Sequence, residues 1–218
     1  MTTGVQMGST RRDVESFDFG FERDWFAMPS EYGEGELWAR DLVERLLPDA
    51  APDDVAARAL RFQLARVHQN LAEMPVLDLT GVVWVPEPES GYAGAVAGFA
   101  LSDLTSEDSP EAVVAAAEAS RGQIINGSSY LEVEPWRGEI EGVGPFVGVR
   151  ELLSHPDEDQ PGTTGIEERA VYTVFPTGAA QAVQIFFSAE SIASFQDIRK
   201  QTQPIVETLR VKLVGVPA

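Results

Sequence analysis

The chain contains no cysteine, which excludes disulfides, thiolate metal sites and cysteine nucleophiles. Its histidines are His68 and His155 alone, and its lysines are Lys200 and Lys212 alone; the other 14 of its 16 basic residues are arginines, scattered along the chain. Against 35 acidic residues this leaves a net charge of −19. Nucleic acids and anionic membranes are bound through clustered Lys and Arg, so neither is expected as a partner. No window approaches ~18 consecutive apolar residues, so no helical membrane span is expected. Met1 to Phe19 also lacks the apolar centre of a secretory signal, since Arg11-Arg12 is followed by Asp13 and Glu15. The expected compartment is therefore the cytoplasm.

What the 218 residues do hold is ordinary for a folded protein, 44% hydrophobic and 23% charged. Residues 1–16 are polar and aperiodic and read as a disordered leader; 17–214 read as one domain. Phe17, Phe19 and Phe21 alternate with Asp18, Gly20 and Glu22, the period of a half-buried strand that closes the core. Apolar residues then recur at helical spacing over 36–72, interrupted at Pro48, which gives a pair of antiparallel helices with Pro52 in the first turn of the second. Gly81 to Val85 and Tyr92 to Leu101 flank a Pro- and Glu-rich loop and form a hairpin over 81–104, in which Gly94 and Gly98 mark a bulge or the close approach of a neighbour. Ser109-Pro110 supplies an N-cap and a first-turn proline for a helix over 109–121.

Antiparallel strands are expected from 128 to 187, Asn126-Gly127 forming a turn ahead of them and Pro176-Thr177-Gly178 the last turn among them. A helix over 189–209 follows, with Ser188 as N-cap, Glu190 in the first turn and Pro204 kinking or interrupting it after Thr202. Strands that cluster in sequence and join by short turns favour an α+β fold. Its twisted antiparallel sheet is flanked by helices, the C-terminal one packed across it.

Few groupings of residues suggest chemistry. Gly142, Gly144 and Gly148 have neither dinucleotide spacing nor a following helix, and read as a turn. His68 lacks a ligand partner at helical spacing, and His155 has no Gly-x-Ser-x-Gly serine to serve. Asp157, Glu158 and Asp159 could offer oxygen ligands to calcium but lack the usual loop spacing. No metal or cofactor is expected.

The segment Ser129 to Trp136 alternates, Leu131 and Val133 on one face and Tyr130, Glu132, Glu134 and Trp136 on the other. Glu132 and Glu134, two apart on a strand, emerge about 7 Å from one another, a separation usable by a carboxylate-dependent glycan hydrolase, with the aromatics stacking on a sugar. The bland alternative is a solvated sheet face whose carboxylates pair with Arg150 or Arg169 on neighbouring strands, and it is favoured.

Phe21-Glu22-Arg23-Asp24-Trp25-Phe26-Ala27-Met28-Pro29, a short strand running into an aromatic-proline turn, resembles the entry of the Mog1/PsbP-like proteins. The closing hairpin, Ser188, and then Phe195, Ile205, Val206 and Leu209 resemble the strand, turn and terminal helix with which those proteins end. The likeness is one of pattern. It implies a twisted antiparallel sheet sandwiched by helices and a non-enzymatic role, family members including accessory subunits and small-GTPase-binding proteins, and it carries no catalytic residue across. The expected function is that of a non-catalytic binding or accessory protein with a protein partner, acting through the Tyr130, Glu132, Glu134, Trp136 surface. Hydrolysis by Glu132 and Glu134 is the alternative.

Overall fold

The computed structural model describes residues 11–31, 33–74, 79–156, 163–189 and 194–215. In chain order the elements are β1 (Val14–Asp18), β2 (Trp25–Ala27), α1 (Gly35–Leu46), α2 (Val55–Ala72), β3 (Thr80–Trp84), β4 (Ala95–Asp103), α3 (Pro110–Ser120), β5 (Ile124–Ile125), β6 (Ser128–Ile140), β7 (Gly144–Pro156), β8 (Thr164–Val174), β9 (Gln181–Ala189), α4 (Ile198–Glu207) and β10 (Arg210–Leu213). The fold is α+β. Eight strands form an open sheet in the order β2-β3-β4-β9-β8-β7-β6-β5, every neighbouring pair antiparallel, and β1 pairs with β10 in a separate two-stranded ribbon.

Both faces of the sheet are covered over its central strands, which is why these strands are apolar on both sides there. On the front face one row runs Trp136, Gly148, Tyr172, Ile185, Phe99 across five strands. Ile198, Ile205 and Val206 of α4 share a core cluster with that row and with Phe187, and Thr202 Oγ1 lies 2.8 Å from the Tyr172 hydroxyl. Tyr172, Phe187 and Ile185 are fully buried, each worth roughly 1.5–3 kcal/mol of apolar transfer. On the back face α1 and α2 set Leu42, Leu60 and Leu64 against Val83 and Val85, while α3 sets Val113, Val114 and Ala117 against Val133, Val147 and Val149.

The opening aromatics close the front core, but as a strand they reach only Phe17. Phe19 and Phe21 follow β1, and all three rings surround Phe99, with centroids 6.2, 5.4 and 6.0 Å away. The ribbon also corrects the leader. Val14 is buried and β1 begins there, because β10, a strand absent from the sequence expectation, pairs with it. The second helix starts later than Pro52 suggests, with Asp54 as its N-cap, the carboxylate accepting from the Ala57 N–H at 2.9 Å. Ser109 caps α3 as expected, accepting from Ala112. Gly94 and Gly98 are places of close approach, since a Cβ would meet the Trp84 ring at the first and the Phe186 ring at the second.

The closing helix differs most. β9 continues to Ala189 because β4 and β8 both pair with it, so Ser188 lies in a strand and donates to Glu167 Oε1 at 2.7 Å instead of capping a helix. α4 begins at Ile198, capped by Asp197, and continues through Pro204 to Glu207. Glu190 lies outside the described residues, as do Asp157, Glu158 and Asp159.

Candidate functional site

The distal end of the sheet is built by β5 to β8. Asn126-Gly127, both at positive φ, turns β5 back onto β6. Further along β6 the register against β7 slips between Tyr130 and Glu132, so Leu131 is an extra, bulged residue. A bulge reverses the in-out phase of everything on one side of it. Tyr130 therefore leaves the expected face and packs under α3 with Val133, Val147 and Val149 on the back. Glu132, Glu134 and Trp136 remain on the front.

Trp136 is nevertheless not part of an exposed surface. Its indole is buried over Gly148, meets Tyr172 edge-on at 5.3 Å and has the Arg199 guanidinium 4.9 Å above its ring. Of the four expected surface residues the structure thus keeps two carboxylates together and removes both aromatics, one to each side.

Glu132 and Glu134 share one cation. Arg150 Nη1 lies 3.0 Å from Glu132 Oε2 and 3.8 Å from Glu134 Oε2, while its Nε donates to Glu168 Oε1 at 2.7 Å. Partial burial pulls the guanidinium's pKa down. The hydrogen bonds to Glu168 and Glu132 and the charges of Glu168 and Glu134 outweigh that and hold it above its ordinary value. On the back face Arg169 pairs with Glu151 at 3.0 Å and Glu167 at 3.9 Å. The expectation that Arg150 and Arg169 neutralise strand carboxylates describes this end of the sheet well, although for Glu132 and Glu134 the cation is Arg150. Glu168, 8% exposed in its side chain, is the member that the sequence reading missed. Its role depends on which residue of β8 stands beside Arg150, and register is not written locally.

Beyond the charged rows the front face ends in a row with an exposed isoleucine at each end and two serines between. Ile124, Ser129, Ser154 and Ile166 stand opposite one another on four successive strands, which places the two isoleucines on one face about 14 Å apart. Ile124 is 74% exposed and Ile166 36%. The apolar pair Ile124-Ile125 ahead of Asn126-Gly127 was the available signal for β5, since apolar residues beside such a turn mark a hairpin.

The remaining candidates among the described residues lie elsewhere in the fold. His68 is buried in α2, its Nε2 3.0 Å from the Pro29 carbonyl and its ring beside Trp38. His155 lies on β7 with its ring over Gly165. Gly142 and Gly144 form the β6–β7 turn at positive φ, and a strand follows. Among the described residues no three His, Asp or Glu side chains converge as a metal site requires. A concavity of about 270 Å³ lies between Leu46, Pro48, Asp54 and Glu89, and one of about 30 Å³ lies beside His68 and Leu79; neither borders the Arg150 cluster. No described helix is long and apolar enough to cross a membrane. The chain matches no protein-family model, and no curated protein is significantly similar to it.

Proposed function

We propose that this is a non-catalytic binding protein that docks a protein partner on the distal front face of its sheet. The observation that carries the reading is the pair of exposed isoleucines, Ile124 on the edge strand β5 and Ile166 on β8, beside the Glu132, Glu134 and Arg150 cluster of the paired strands β6 to β8. Exposed apolar side chains with polar and charged groups around them can serve as anchors of a docking site with a polar rim. With carboxylates in excess over the one arginine, the fitting partner offers apolar side chains flanked by Lys or Arg. Glycan hydrolysis is less well supported, since Glu132 and Glu134 already converge on one guanidinium. Membership of the Mog1/PsbP-like group belongs to the same proposal, resting on the residues quoted for it.

The test is affinity capture from native lysate with the wild type and with Ile124→Asp/Ile166→Asp. A stoichiometric partner retained by the wild type and lost by the variant supports the proposal; no partner, or one retained equally by both, refutes it. A glycan panel turned over by wild type but not by Glu132→Gln/Glu134→Gln would establish the hydrolase in its place.

A further inference from the structure

The last sheet position is incompletely filled. β5 pairs with β6 only at Ile124–Ser129 and Ile125–Ser128, whereas β6 runs on to Ile140. Which of its backbone groups face outward follows from two hydrogen bonds. The Val133 carbonyl accepts from Arg121 Nη2 at 2.5 Å, so Val133 points away from β7. The Pro145 carbonyl accepts from the Phe175 N–H at 2.9 Å, so Pro145 faces β8, and Glu139 opposite it turns its own N–H and C=O outward. The register is uninterrupted between these points, hence Val133, Pro135, Arg137 and Glu139 all face the edge.

The first half of that edge is closed. Tyr130 exchanges hydrogen bonds with Gln123 and Gly122, Arg121 occupies the Val133 carbonyl, and Pro135 has no N–H. This is how an edge is normally protected against strand addition. Among the described residues, Arg137 and Glu139 are left with both N–H and C=O facing outward and no backbone partner.

We propose that a second copy of this chain fills the edge, β6 pairing antiparallel with its counterpart about a two-fold axis at Gly138. In that register Arg137 of each copy faces Glu139 of the other, all four open groups on each copy are satisfied, and opposite charges stand directly across from one another. The neighbouring centres fail. A two-fold at Arg137 or at Glu139 sets like charges opposite each other, one at Trp136 sets Arg137 against Pro135, which cannot donate, and one between residues sets outward groups against inward ones. Gly138 presents no side chain at the axis, and the Phe146 ring fills the space where one would stand. Arg137 is free to turn, because its 2.6 Å pair with Glu111 is more than half exposed on both sides and so weakly held. The partner is identified by charge: the Arg137-Gly138-Glu139 segment complements itself.

Sedimentation velocity across a concentration series tests this at about 0.15 M ionic strength, where a Debye length of about 8 Å screens the long-range repulsion between two copies of charge −19 but not the contact pairs of Arg137 with Glu139. The wild type is expected to dimerise. Arg137→Glu and Glu139→Arg each weaken the dimer by roughly tenfold, two cross-strand pairs being lost in each case. The double exchange restores it, and an equimolar mixture of the two single variants associates more tightly than either alone. Glu139→Pro, which removes an outward N–H and leaves the pairing with β7 intact, also loses the dimer while circular dichroism shows the fold unchanged. A wild type that stays monomeric throughout, or single charge variants that dimerise as well as the wild type, overturns the proposal.

Discussion

Arg150 and Glu151 are neighbours on β7 whose side chains leave opposite faces of the sheet and meet opposite surroundings. Arg150 collects three carboxylates on the front. Glu151 is 13% exposed in its side chain on the back. Desolvation raises its pKa above the ordinary 4.5, Arg169 opposes that through charge and a hydrogen bond, and the charge of Glu167 adds to the rise. The folded chain thus holds this proton more tightly than the unfolded chain does. The associated stability is fully present below pH 4.5 and is lost as the pH rises through the folded value. Glu151→Gln keeps an acceptor for Arg169 and removes the titration. Relative to the variant, the wild type should lose stability as the pH rises through that window in urea unfolding series; parallel curves would show that Glu151 is not the titrating group.

Single residues also set the behaviour of whole elements. Leu131, by bulging, sends Tyr130 to the back while Glu132 stays on the front, so the strict alternation from Ser129 to Trp136 could not show which residues share a face. At the closing helix the choice of cap is what the structure revises. Ser188 and Asp197 are both good N-cap residues, but the pairing of β9 extends through Ser188, and Asp197 is left to accept from the Lys200 N–H at 3.1 Å. Asp197→Ala should therefore cost about 1 kcal/mol in chemical denaturation. If Asp197→Ala proved neutral, α4 would owe its start to packing of Ile198 alone.

At the scale of the molecule, one sheet is covered on the front by α4 and the β1–β10 ribbon and on the back by α1, α2 and α3. Packing holds this assembly together against its own charge, since 35 acidic residues face 16 basic ones. The exposed ion pairs, such as Arg40–Asp41 and Lys200–Asp197, offset little of that repulsion. Screening should then stabilise the fold, and the melting temperature should rise as sodium chloride is added from low to moderate concentration. A falling melting temperature would mean that the Arg150 and Arg169 clusters outweigh the net repulsion.

The sequence by itself determined the class of the fold, the paired helices, the α3 cap at Ser109 and the antiparallel run after Asn126-Gly127, because each rests on periodicity or turn chemistry confined to a few residues. It also pointed to Arg150 and Arg169 as the cations for strand carboxylates. Only the tertiary structure decided that β10 captures Val14–Asp18, that β9 runs past Ser188, that Tyr130 and Trp136 leave the surface, and that Glu168 joins Arg150. Each of these depends on the register between segments far apart in the chain, and register is set by where a whole strand buries its side chains, which no local stretch encodes.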